Sequence, residues 1–181
     1  VPVWGAIALG AGGVLLVAAL GVMAYLGYKG MERRYVLRLI SRREAVYAVR
    51  QALEDAVVRL AEGSDEQLEL FANTPDSQER KMLLEVKVRA QILRDELDTM
   101  SLPKRLVPAA EALADAAFIV AREAGKIRDQ DTGSIVLTEL GTIDLGTVAE
   151  VFERAAAAVS LTCQVCEVDE DAAVYGGGLY L

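Results

Sequence analysis

The chain has 181 residues with a net charge of −8, no His and two Cys. Without His it lacks the commonest general base and the commonest transition-metal ligand, which argues against serine-triad, zinc-peptidase and His-bearing di-iron chemistry. The two Cys stand three residues apart, so there is no secreted-type disulfide framework. Ala, Val, Leu, Arg and Glu dominate with few aromatics and four Pro, a composition that favours an all-α fold.

The first 28 residues carry no charge and supply continuous apolar bulk through Ile7, Leu9, Val14, Leu20, Val22, Met23 and Leu26. About 20 such residues suffice to cross a bilayer, so 1–28 is expected to be a transmembrane helix. Trp4 at one end and Tyr25 and Tyr28 at the other fit the two interfaces. A cleaved signal peptide has a shorter apolar core preceded by its basic residues; here the basic residues follow. Ala6, Gly10, Gly13, Val17, Gly21 and Ala24 recur at steps of four and three, which places them on one smooth helical face suited to packing against another membrane helix.

Lys29, Arg33, Arg34, Arg38, Arg42 and Arg43 crowd the following stretch and are expected to meet anionic lipid headgroups. By the positive-inside rule they place the N-terminus outside and the large domain in the cytoplasm, in an inner or plasma membrane. Residues 29–50 carry seven basic and two acidic side chains, whereas 51–181 carry twelve basic and twenty-five acidic. So acidic a domain repels phosphate, and nucleic acid is not an expected partner.

Residues 29–62 form the stem and first bundle helix, with no Gly or Pro between Glu32 and Glu62 and a stop at Gly63. Leu39, Val46, Leu53 and Leu60 repeat every seven residues with Val49 and Ala56 beside them, an apolar seam that a second copy could share, although Arg42 interrupts it. Residues 63–167 complete the bundle. Glu66 to Asn73 adds a short helix. Thr74 as N-cap and Pro75 as first helical residue open a second long helix through Met82, Val86, Leu93, Leu97 and Met100, with Glu85–Arg89 and Arg94–Asp98 as surface pairs.

A third helix from about Pro108 to near Arg128 carries Ala110, Ala114, Ala117, Ala121 and Ala124 on one side. Gly133 to Ile143 reads as an ordered loop. A fourth helix starts at Asp144 with the stripe Val148, Phe152, Ala155, Val159, Cys163 and Cys166. The economical fold is an antiparallel four-helix bundle. Residues 168–181 form an acidic, Gly-rich tail in which Tyr175, Leu179, Tyr180 and Leu181 are candidates for docking into surface pockets.

Potential chemistry is sparse. Cys163 and Cys166 have the spacing of a redox or metal pair, yet both fall on the apolar stripe and no second pair accompanies them, short of a homodimer pooling four thiolates. Asp129, Asp131 and Gly133 begin like a calcium loop but lack its later Gly and Glu. Gly176 to Gly178 has no phosphate-loop Lys after it. Glu111 and Asp115, one turn apart, read as a solvated face. No stretch carries a family motif, and no catalytic residue, cofactor or metal ligand is expected.

Two functions fit this pattern. The chain is expected to be a non-catalytic, single-pass accessory subunit that docks on multi-pass membrane protein subunits, with a transporter the favoured setting over a respiratory complex. The alternative is a self-associating membrane-anchored sensor or scaffold, a homodimer joined through the stem seam.

Overall fold

A computed structural model describes the backbone of residues 3–168 and the side chains of 20–23 and 25–168. Six helices follow one another among the described residues, with no strand: α1 (Val3–Ala61), α2 (Asp65–Asn73), α3 (Gln78–Thr99), α4 (Val107–Ala124), α5 (Ser134–Gly141) and α6 (Leu145–Val165). The upper half of α1 packs with α3, α4 and α6 as a helical bundle, while the short α2 and α5 pack on each other. Lys29 pairs with Glu167, Arg42 with Glu96, and Lys126 with the Thr142 carbonyl, which sets successive long helices antiparallel. The lower pole holds the start of the α1 bundle segment and the end of α6; the upper pole holds α2 and α5.

Each long helix buries most of the stripe its sequence carries, with Met82, Met100 and Cys166 half-buried. On α1, Leu39, Val46, Leu53 and Leu60 are at most 3% exposed, with Val49 and Ala56 beside them. The seven-residue seam therefore faces α3, α4 and α6 of the same chain. It is not an open surface for a second copy, and Arg42, at the seam's edge, reaches Glu96 of α3 at 2.8 Å. The alanine row Ala110, Ala114, Ala117, Ala121 and Ala124 is buried on α4, where small side chains let α3 and α6 approach closely. Val148, Phe152, Ala155, Val159 and Cys163 are buried on α6. Phe152 meets Tyr47 of α1 edge to face at 5.1 Å, and the Arg50 guanidinium lies 5.0 Å from its ring centre.

α4 ends at Ala124 with Gly125 as C-cap, four residues before the expected Arg128, and two other boundaries differ from the sequence reading. Ser64 opens α2 with a reciprocal cap, its hydroxyl accepting the Gln67 N–H while its own N–H donates to the Gln67 side chain. That helix runs to Asn73, so Thr74 is its extended C-cap. Pro75 then sits in a turn closed by the Ser77 N–H on the Thr74 carbonyl at 3.0 Å, and α3 begins at Gln78 behind Ser77. An extended residue before proline is the sterically easy choice, which a turn meets as readily as a helix start. The second difference is α5: Ser134 to Gly141, read as loop, form two turns of helix with Val136 fully buried.

The expected membrane span falls mostly outside the described side chains. α1 is helical from Val3 onward, but the side chains of 1–19 and of residue 24 lie outside the described residues. Among the described residues no helix is long and apolar enough to cross a membrane. The described part of the uncharged run, Leu20 to Tyr28, is too short by itself for a segment that needs about 20 residues.

Candidate functional site

The surface features gather on α1 and at the lower pole. Leu20, Val22, Met23, Tyr25, Leu26, Tyr28 and Met31 are each at least half exposed, a band of apolar side chains with no cover from other described residues. Of the expected membrane-packing face, Ala6, Gly10, Gly13, Val17 and Ala24 lie outside the described side chains; Gly21 is exposed, and among the described residues nothing beyond its own helix backbone lies within 4 Å of where a Cβ would stand.

Directly above the band comes the basic stretch, and its six members divide by environment. Arg33, Arg34 and Arg38 are exposed and make no ion pair among the described residues, although Arg38 lies 6.0 Å from the Tyr35 ring. Lys29 pairs with Glu167 just beyond α6, which holds the ammonium pKa above its ordinary value and the carboxyl below. Arg42 bridges to α3, and Arg43, half-buried, pairs with Glu44 at 2.9 Å. At 1.5 Å per residue Arg42 stands roughly 20 Å above Lys29, more than two screening lengths at physiological salt. At that height the Arg42 charge is engaged by Glu96 of α3.

A groove of about 410 Å³ opens between α1 and α3. Ala45, Ala48 and Val49 line it from α1, and Met82, Val86 and Ile92 from α3. Small side chains on α1 leave the space, and Ile92, 52% exposed, overhangs it. Arg42 and Glu96 stand at its lower end, with Glu85 and Arg89 paired on its rim. The helical faces of α1 and α3 are legible in the sequence, but the depression between them is not, because it depends on how far α3 stands off from α1.

α6 ends with the chain folding back: the Val168 N–H reaches the Cys163 carbonyl at 3.0 Å, Glu167 takes a φ of +53°, and Val168 is buried. Cys163 is buried and Cys166 half-buried, and burial together with the nearby Glu32 raises the Cys166 thiol pKa, with Arg105 opposing. A raised thiol is the reverse of an activated one. Among the described residues no group of three or more Cys, Asp or Glu is placed to hold a metal. The tail residues Tyr175, Leu179, Tyr180 and Leu181 lie outside the described residues.

Two charged residues that the sequence did not single out sit in the interior. Glu123 on α4 is 1% exposed and accepts the Asp144 N–H at 2.9 Å, the Lys126 ammonium at 2.6 Å and the Arg122 guanidinium at 2.9 Å. Arg80 on α3, 6% exposed, donates to the Arg128 and Asp131 carbonyls, clasping the segment between α4 and α5 where the incomplete calcium pattern lies. The Asp131 carboxylate accepts the Arg128 N–H at 3.1 Å, a turn within that segment. Both interior charges close the upper pole, and Arg80 also lines a pocket of about 220 Å³ with Lys87, Arg128 and Asp129. Comparison with protein-family models, curated proteins and solved structures finds no match to this chain.

Proposed function

We propose that this chain is a membrane-anchored accessory subunit: the lower part of α1 sits in the bilayer against a multi-pass partner, and the bundle stands on the cytoplasmic side. The observation that carries the reading is the exposed apolar band from Leu20 to Met31, directly beneath Arg33, Arg34 and Arg38, which make no ion pair among the described residues, on one unbroken helix. Exposed apolar bulk of this kind needs a cover, and an apolar layer topped by cationic side chains matches a hydrocarbon core beneath anionic headgroups. The uncharged run from 1 to 19 supplies the remaining length by sequence. A transporter is the favoured setting.

Burial of the stem seam inside the bundle favours an unlike partner over a homodimer scaffold, because two copies would have to join through a different surface. Mild-detergent purification with identification of co-purifying chains tests the proposal, with Gly13→Leu compared against Leu16→Ile at matched membrane levels. Loss of partner with Gly13→Leu alone is expected, since a branched side chain on the smooth face holds a neighbouring helix away. Recovery of this chain only with itself would sink the accessory reading. Recovery from the soluble fraction would sink the anchor.

A further inference from the structure

We infer that the pocket between α3 and the chain leaving α4 binds a small phosphate monoester, its dianion held by Arg80, Lys87 and Arg128 and its carbon part laid on Leu83, Leu84 and Ile127. The pocket lies at the upper pole, opposite the stem, and the inference does not depend on the membrane reading.

Arg80 carries the argument. It is 6% exposed, yet its acceptors are two neutral carbonyls, those of Arg128 and Asp131, and it makes no ion pair among the described residues. A buried charge ordinarily meets an opposite charge, because carbonyl dipoles alone leave it uncompensated. A guanidinium has five N–H donors, and the two carbonyls take two of them. The remaining donors and the full charge belong to a side chain that lines the pocket.

Two further cations converge on the same space. Arg80, Leu83, Leu84 and Lys87 recur at helical spacing, so they share one face of α3, and Arg128 joins them from the segment after α4. The Lys87 stem lies over Gly125, where an added Cβ would stand 3.3 Å from its Cδ and Cε; the glycine lets the lysine cross the end of α4. Neither Lys87 nor Arg128 makes an ion pair among the described residues. Asp129 is the acid on the pocket wall, so three cations face one carboxylate and two positive charges are left to be matched. A phosphate monoester carries close to two negative charges at neutral pH and offers three acceptor oxygens to Arg and Lys, whereas a carboxylate supplies half that charge. At about 220 Å³ the space falls below the roughly 300–1,000 Å³ of pockets for drug-sized ligands, which restricts the ester to a short carbon part.

The test is isothermal titration calorimetry on the full chain, purified in mild detergent at neutral pH and fixed ionic strength, with propyl phosphate, inorganic phosphate and acetate as probes. Propyl phosphate is expected to bind at a single site, about threefold tighter than inorganic phosphate through the apolar wall and at least about tenfold tighter than acetate. Lys87→Gln and Arg128→Gln leave the Arg80 clasp in place and should each weaken it about tenfold. Asp129→Asn should tighten it about threefold, and Lys81→Gln, an equal change of charge at an exposed position paired with Asp76, should leave it unchanged. Circular dichroism should show the parent helix content in all four variants. Tightening by Asp129→Asn separates a bound anion from cations that only offset the carbonyl end of α4. No binding by the parent would overturn the assignment and leave the three cations as partners of that helix end. Binding as tight for acetate, indifferent to Lys87→Gln and Arg128→Gln, or lost equally with Lys81→Gln would overturn it too. An ester bound no tighter than inorganic phosphate would overturn the place of the carbon part.

Discussion

The Glu123 carboxylate on α4 accepts the backbone N–H of Asp144, the residue that caps α6, at 2.9 Å while almost fully withdrawn from solvent. One side chain thus fixes where α6 begins relative to the end of α4, and Lys126 and Arg122 compensate its charge. Glu123→Ala removes the acceptor and leaves a buried N–H and two cations without it. The expected cost is about 2–3 kcal/mol, read from urea unfolding followed by circular dichroism, with Glu123→Gln losing about half as much because it keeps volume and an acceptor.

The same carboxyl makes stability depend on acid. Burial alone would raise its pKa, but the Asp144 N–H, Lys126 and Arg122 outweigh burial and hold it below the usual carboxylate range. A group whose folded pKa lies below its unfolded value of about 4.3 stabilises the fold fully above that pH, and the contribution fades as pH falls through the folded pKa. The stability gap between parent and Glu123→Gln should be constant from neutral pH down to about 5 and shrink below about 4. A gap independent of pH from 6 to 3 would contradict this account.

Arg80 tests the other closure of the upper pole. Arg80→Met keeps the apolar stem but leaves the Arg128 and Asp131 carbonyls without their donor, for an expected loss of about 2 kcal/mol. Amide exchange should rise first in 126–133, before the bundle helices. Uniform loss of protection across α3 and α4 would mean that Arg80 supports the whole bundle, not the segment it clasps.

Gly133 precedes α5 with φ +60° and ψ −132°, and its N–H donates to the Ala72 carbonyl at 2.9 Å. An added Cβ would have room, its nearest neighbour being Asn73 Oδ1 at 3.8 Å, so the cost of Gly133→Ala is one of backbone conformation. We expect about 1–3 kcal/mol in thermal unfolding, and little change would mean that the loop relaxes to a conformation open to L-residues.

Leu53 is fully buried on the seam of α1. Leu53→Ala should cost about 2–5 kcal/mol and leave the oligomeric state unchanged, because the seam faces inward. Sedimentation analysis in detergent checks the second half of the statement. A change of mass with little change of stability would place the seam between copies after all.

Much of the bundle is readable from spacing alone. The stripes on α1, α4 and α6 name side chains that are in fact buried, apart from the half-buried Cys166, since a helix fixes which residues share a face whatever the neighbour is. The N-cap at Asp144 was legible for a related reason, its partner Thr147 being three residues away. What failed depended on context. Thr74-Pro75 suits a helix start and a turn equally, and the chain takes the turn, with Thr74 as the extended C-cap of α2. Glu123 and Arg80 resemble any other surface charge until the fold brings up partners 21 and 48 residues distant. The groove was hidden for the same reason, because alanines on one helix leave a depression only where a second helix bridges over them.

The antiparallel order puts the bundle's way in and way out side by side, clasped by Lys29 and Glu167, and leaves the opposite pole to short helices and turns. The two poles therefore differ in what they can carry. A protein fused after Val168 would crowd the stem, whereas one inserted between Asp129 and Gly133 would stand roughly 45 Å away from it. Pulling the chain apart through residues 29 and 167 would peel α6 from α1 contact by contact, while pulling from the upper pole against the stem would load α1 along its length and shear every seam at once. The bundle's mechanical strength is in this way directional, weak across its base and strong along its axis.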